Sequence, residues 1–214
     1  MGAPPFAGPP RRRVLTTRHG PVVVHGPATV DDLAPLRPDP GLTAFRPPAK
    51  QKEALLALAE ADDGAVFLAQ QDDLLVGYCT LHPPDPLTTF GAARLPFLIE
   101  MGAIEVSSAW RFEGIGRALL ETAFDNEALE DYIVISCEYW WHWDLDGLEM
   151  EIWTYRNMLE DVMGRVGLVP HSTDDPEISS HPANMLTARF GRRVSEEQIA
   201  AFERVCHSER PWLA

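Results

Sequence analysis

The sequence predicts a mixed α/β (α+β) sandwich, with a central mixed sheet of six to seven strands flanked by helices. Three observations predict it. Two apolar runs, Ala65–Gln70 and Leu74–Leu81, are separated only by Gln71-Asp72-Asp73, the spacing of a hairpin. A further apolar run, Leu98–Val106, leads through a glycine-bearing turn into helical spacing. Strand-like and helix-like segments then alternate to the end of the chain, which is the order of a layered sheet-and-helix domain.

The elements follow in order. Val22–His25 reads as a first strand, set between Gly20-Pro21 and Gly26-Pro27. Thr29 is placed to cap a short helix through Asp31 and Asp32, and Pro38 and Pro40 stop it. A second helix begins after Pro47-Pro48, with Ala54, Leu55, Leu58 and Ala59 on one stripe. The hairpin comes next, then a proline-rich loop (Pro83, Pro84, Pro86) long enough to be functional. Leu98–Val106 is a central strand, and a helix from Gly114 to about Asn126 carries Ile115, Ala118, Leu119 and Thr122 at helical spacing. Tyr132–Glu138 is a strand. Leu148–Arg165 is the strongest helix, with Ile152, Tyr155, Leu159, Val162 and Val166 on one face and Gly164 and Gly167 at its end. Strands are expected from Leu168 and over Met185–Phe190. The last helix opens on a Ser195/Gln198 capping box and buries Ile199, Phe202 and Val205.

These elements form one domain over residues 14–214, preceded by a flexible Pro/Arg-rich tail over residues 1–13. The tail has no apolar core and so is not a secretory signal. It is Arg-rich and acid-poor like a transit peptide, but reads rather as a solvated extension. With 18 basic and 32 acidic residues the net charge is −14, which disfavours nucleic acid and anionic membranes as partners. The same charge would attract a basic substrate or a lysine-rich protein patch. No apolar run is long enough to span a membrane. Cys79, Cys137 and Cys206 are odd in number and far apart, so no disulfide framework is expected and a reducing cytoplasm fits.

The sharpest local signal is Arg111-Phe112-Glu113-Gly114-Ile115-Gly116-Arg117, between the strand end Ile104-Glu105-Val106 and a helix start. Free amide N–H groups at a helix N-terminus attract anions, and the helix dipole adds to that attraction. Gly114 and Gly116 remove side chains that would hold a phosphate away, and Arg111 and Arg117 supply cations. A pyrophosphate is the natural ligand. A dinucleotide fingerprint is excluded because Leu119 stands at its third glycine, and a P-loop pattern is absent. Glycines present for turn geometry alone remain the competing reading.

The segment resembles the acetyl-CoA signature R/Q-x-x-G-x-G/A of the GNAT superfamily. The runs Leu42–Pro48, Gly102–Val106, Glu138–Leu145 and Asp175–Asn184 resemble, more narrowly, the acetoin-utilisation acetyltransferases of bacteria, over roughly Val22 to Phe202. The resemblance implies the GNAT fold, acetyl-CoA as co-substrate, and acetylation of a lysine on acetyl-CoA synthetase that switches that enzyme off. It implies cofactor contacts at Ile104, Glu105, Val106, Arg111, Phe112, Glu113, Gly114, Ile115, Gly116 and Arg117. Two residues depart from the superfamily pattern. Glu113 puts a carboxylate beside the expected pyrophosphate and must point away. Met163 stands where a tyrosine is common.

Acetyl transfer to a lysine needs a base, because the amine has a pKa of about 10.4. Glu100 and Glu105 are the candidates. Five apart on one strand, they are expected on opposite faces. Enzymes of this superfamily that use a strand glutamate place it about where Glu100 stands. Tyr155 is a candidate acid, although it lies on an apolar stripe and also reads as a core residue. Trp140, Trp141 and Trp143 suit either a pocket wall or a core. His142, Asp144 and Asp146 alternate without a recognised metal-ligand spacing, and no metal is expected. Two other functions compete with protein-lysine acetylation: acetylation of a small amine, and non-catalytic sensing of acetyl-CoA.

Overall fold

The computed structural model describes Phe6 and residues 9–207. Its elements, in chain order, are β1 (Arg11–Thr17), β2 (Gly20–Gly26), α1 (Val30–Leu33), β3 (Arg37–Pro38), α2 (Pro48–Glu60), β4 (Ala65–Gln71), β5 (Leu74–His82), α3 (Thr89–Ala92), β6 (Leu98–Val106), α4 (Ile115–Phe124), β7 (Ile133–Glu138), α5 (Leu145–Leu148), α6 (Ile152–Gly164), β8 (Val169–His171), β9 (Met185–Phe190) and α7 (Glu196–Cys206). The strands join in one sheet of order β1-β2-β4-β5-β6-β7-β9-β8, and β3 lies parallel to the start of β5. The described residues therefore hold nine strands where the sequence reading counted six to seven. The additions are the two-residue β3 and β1. β1 begins at Arg11, so Arg11, Arg12 and Arg13, assigned above to the tail, are paired with β2. Three arginines, then Val14-Leu15 and two threonines, gave no apolar alternation by which to see that strand. Of the rest of the tail, Phe6 is buried in the core, and residues 1–5, 7 and 8 lie outside the described residues.

The sheet is covered on both faces, which is why its central strands are apolar throughout rather than alternating. In β4, Ala65, Phe67 and Ala69 face one core together with Ile115, Leu119 and Ala123 of α4 and Met163 of α6. Val66 and Leu68 face the opposite side with Leu33 of α1 and Leu55 of α2. Further along that second face, Ile133 and Ile135 of β7 pack with Phe90 of α3 and Phe202 and Cys206 of α7. The helix starts follow local chemistry. Thr29 with Asp32, and Ser195 with Gln198, form complete capping boxes. The predicted long helix from Leu148 is two pieces: Glu149 adopts a left-handed backbone (φ 50°), which ends α5 and separates it from α6.

Two features of β6 shape the molecule. Against β5, Thr80 pairs with Ala103 but Leu81 pairs with Met101, so Gly102 is an extra residue, a β-bulge. Against β7, β6 pairs in parallel only at Leu98, Ile99 and Glu100. Beyond them β7 continues beside β9 as far as Glu138–Met185, while β6 stays with β5 to Val106. The sheet opens into a V, and the 101–106 edge of β6 has no strand partner. At the apex the remaining tie is a side chain: Ser136 Oγ lies 3.1 Å from the carbonyl oxygen of Met101.

Candidate active site

The loop after β6 is held from below. Buried Asp39 accepts from Ser107 Oγ at 2.6 Å, from Trp110 Nε1 at 3.2 Å and from the Gly41 N–H at 2.8 Å. Phe112 and Gly114 take left-handed backbones (φ 64° and 78°), which turn the chain sharply into α4. The first bond of α4 runs from the Ala118 N–H to the Gly114 carbonyl, so the N–H groups of Ile115, Gly116 and Arg117 stand outside the helical ladder. No side chain caps this end. The loop at the open end of the V thus presents bare amides with a helix dipole behind them, a cradle for an anion.

The charged residues of the cradle are partly committed. Arg111 forms an ion pair with Asp144, so its cation is directed along the opening rather than standing free. Arg117 is exposed and pairs with Glu121 at 2.6 Å. Glu113 does point away: its carboxylate takes the Arg18 guanidinium at 3.2 Å and the Arg18 N–H at 3.3 Å. The β1–β2 turn is thereby clamped to the cradle. His19 of the same turn lies against Trp110, with ring centroids 4.5 Å apart.

Glu105 has a different place from the one expected. It is 5% exposed and its carboxylate accepts from Tyr78 Oη at 2.5 Å and from the Ala44 N–H at 2.7 Å. That carboxylate is already engaged by two donors and closed off from solvent. Its work is to fasten the loop before α2 onto the sheet. The bulge also overturns the expectation that Glu100 and Glu105 face opposite ways. Ile99 and Met101 pack into the α4/α6 core, and so do Ile104 and Val106. The extra residue between them reverses the alternation, so Glu100 and Glu105 share the other face.

Glu100 sits where β6 and β7 part, across from His82 on β5. Burial raises its pKa above the ordinary carboxylate value, Asp85 adds to the rise, and His82 opposes it. His82 Nδ1 lies 2.7 Å from the Pro83 carbonyl, an acceptor only, so that nitrogen carries a proton. Tyr155 stacks on Trp143 with centroids 5.2 Å apart, and burial raises its pKa, which keeps the phenol protonated. Its charged neighbours are Arg111, Glu138 and Asp144. Tyr155 therefore lies beside the opening.

Glu138, the last residue of β7, lies beside the opening and was not singled out from the sequence. Burial pushes its carboxyl up to about 7. Ser136 Oγ lies 2.7 Å from it, and the indole N–H of Trp143 is near enough to pull the pKa down without forming a well-made hydrogen bond. The available signal was an acidic residue closing an otherwise apolar strand. The tryptophans divide: Trp143 is buried, while Trp140 and Trp141 are exposed. Trp141 stacks on Tyr139 at 4.7 Å and Trp140 lies 5.3 Å from His181, which makes an aromatic wall beside the opening. The alternating residues of this stretch go separate ways. Asp144 turns to Arg111 and to the Gly147 N–H, and His142 packs on Phe45.

The chain is similar to known proteins. Residues 31–143 match the acetyltransferase (GNAT) family. The chain is 44% identical to the acetoin utilization protein AcuA of Bacillus subtilis (strain 168) over 191 residues, 89% of this chain and 91% of that protein. Its identity to the Bacillus licheniformis protein of the same name is 45%, over the same shares of each. The crystal structure of an acetoin utilization protein from Exiguobacterium sibiricum superposes with a TM-score of 0.93 at 43% identity, covering 96% of this chain and 97% of that one. The match over residues 31–143 takes in β6, the cradle and β7, and with the relatives of 44–45% identity it shows that the chain belongs to the GNAT family of acetyltransferases.

Proposed function

We propose that this protein transfers acetyl from acetyl-CoA to a lysine side chain of a protein, with an acyl-CoA synthetase as the acceptor. The observation that carries the transfer chemistry is the opening between β6 and β7 with the amide cradle at its end. The cradle suits a pyrophosphate, and the unpaired edge of β6 suits the amides of a pantetheine arm, which need partners in a partly buried groove. The thioester then lies at the apex, beside Glu100. The lysine acceptor is supported by the likeness to acetoin utilization proteins, by the acidic balance of the chain and by the aromatic wall, which suits the apolar stem and cationic head of a lysine.

In this reading Glu100 removes a proton from the incoming ammonium, and the neutral amine attacks the thioester carbonyl. The experiment is incubation of labelled acetyl-CoA with purified acetyl-CoA synthetase and with small polyamines, followed by mass spectrometry of the products. A labelled lysine on the synthetase, and loss of its activity, is expected. Label on the small amine alone would favour the small-molecule reading, and binding without transfer would favour a sensor. E100Q is expected to lower turnover at neutral pH by about 10²-fold and to lose less at high pH, where more amine is already neutral.

A further inference from the structure

Two half-buried carboxyl groups, Glu100 and Glu138, border the opening, and they stand on opposite faces of the sheet. In β7, Val134 belongs to the α4/α6 core, while Ile133 and Ile135 belong to the α3/α7 core. Alternation puts Ser136 and Glu138 on the α4/α6 face. Glu100 is on the other face, because Ile99 and Met101 on either side of it pack toward α4 and α6. Their surroundings agree. His82 and Asp85 act on Glu100, whereas Ser136, Trp143 and Tyr155 surround Glu138. The α4 N-terminus, Arg111 and Asp144 all lie on the Glu138 side. A thioester reaching the apex from that cradle brings its sulfur in among Glu138, Tyr155 and Trp143. The amine meets the carbonyl carbon from the Glu100 side.

We propose that Glu138 is the acid of the reaction, giving its proton to the departing coenzyme A sulfur while Glu100 takes the proton of the amine on the opposite face. The assignment rests on the acetyl-transfer reading above. Its steps balance. Glu100 accepts one proton from the ammonium, and the nitrogen lone pair forms the C–N bond. As the carbonyl re-forms, the C–S bond breaks and the sulfur takes the Glu138 proton. The second nitrogen proton, lost as the amide forms, passes to solvent, and Glu138 regains one proton from solvent. Glu100 then releases the first to solvent, so one proton leaves per acetyl transferred.

The surroundings of Glu138 suit a group that must hold a proton and then part with it. Ser136 faces it from its own strand, Trp143 from the turn after β7, and Tyr155 from α6 with the Arg111–Asp144 pair beyond, while the charge of Glu100 acts on it from the other face of β6. None of these is a free cation; Ser136 and Trp143 favour the ionised form, but burial outweighs them and a like charge at Glu100 adds to the protonated form. Ser136 has one hydroxyl proton and two acceptors within reach, Met101 O and Glu138. When Glu138 is protonated it donates to Ser136, which donates to Met101. When Glu138 is ionised, Ser136 turns its proton to the carboxylate. Both states keep the carboxyl hydrogen-bonded.

The test is kcat/KM for acetyl-CoA against pH for the wild type, E138Q and E100Q, with an amine the wild type accepts. An acid must be protonated, so the wild type should show a limb that falls as pH rises. E138Q should lose that limb, and below it about 10²-fold of activity. E100Q should lose the rising limb and keep the falling one. Unchanged acetyl-CoA affinity in E138Q by calorimetry shows that fold and cradle survive. An E138Q enzyme with the wild-type falling limb overturns the acid role. Carbon-13 NMR of the glutamate side chains in ligand-free protein separates this from the acetyl-transfer reading. The signal missing from E138Q should titrate near neutral pH. Titration in the ordinary carboxylate range overturns the acid role even if acetyl transfer is intact. A wild type that acetylates no amine removes the acetyl-transfer reading and the acid role with it.

Discussion

A Cβ added to Gly116 would meet only Val106 Cγ2, at 3.7 Å, so nothing in the packing of the protein calls for glycine there. What glycine leaves is free space in front of three unpaired amides. G116E should therefore fold, and its side chain should fill the cradle with bulk and negative charge, abolishing acetyl-CoA binding by calorimetry. Unchanged affinity would place the pyrophosphate elsewhere. Glu138 shows the opposite case, a residue that the fold would hold more easily uncharged. Its pKa is raised from an unfolded value of about 4.3 to about 7. A raised pKa means that its favourable contribution is fully present below the unfolded value and is lost as pH rises through the folded one. E138Q is thus expected to be more stable than wild type at about pH 8, by about 2–3 kcal/mol, with the gain fading toward about pH 4. Urea unfolding at the two pH values measures it, and a pH-independent difference would mean that burial of the charge is not the cause.

At the scale of elements, β6 does most to make the site. Its boundaries are those the sequence predicted, because Leu98–Val106 is a continuous apolar run with Gly and Glu inside it. Its bulge was not legible: a one-residue shift against β5 leaves no local pattern, and only cross-strand pairing reveals it. That shift put Glu105 on the face of Tyr78, where it became a fold anchor. E105Q keeps the shape but has one acceptor oxygen for two donors, and should cost about 1–3 kcal/mol of stability in urea unfolding. Its effect on turnover should be smaller than that of E100Q. If Glu105 proves the more damaging in turnover with stability intact, the two glutamates exchange roles. The glycine loop was legible because its chemistry is local: a helix start and two glycines suffice to leave amides bare. Its clamp by Arg18 was not, since a turn 95 residues earlier supplies the partner.

At the scale of the whole molecule, the chain carries a net charge of −14, and the proposed acceptor is cationic. Long-range attraction of this kind is screened by salt. Raising ionic strength from about 0.05 to about 0.5 M should lower kcat/KM for a lysine-rich protein acceptor by about 10-fold, with kcat little changed. A flat or rising salt profile would show that the acidic surface steers nothing. The sequence by itself determined the layered α/β class, the positions of the central strands and the long helices, the Thr29 cap, the Ser195/Gln198 capping box and the glycine-bearing start of α4. Each of these is written in spacing or in contacts between near neighbours along the chain. Only the tertiary structure decided that the sheet opens after Glu100, that Glu105 is fastened while Glu100 is left at the apex, and that Glu138 lies on the α4/α6 face. Those outcomes depend on which strands pair, in what register and over what length, and on burial by elements far away in sequence. A carboxyl group's proton affinity is set by that surrounding volume, not by its neighbours in the chain.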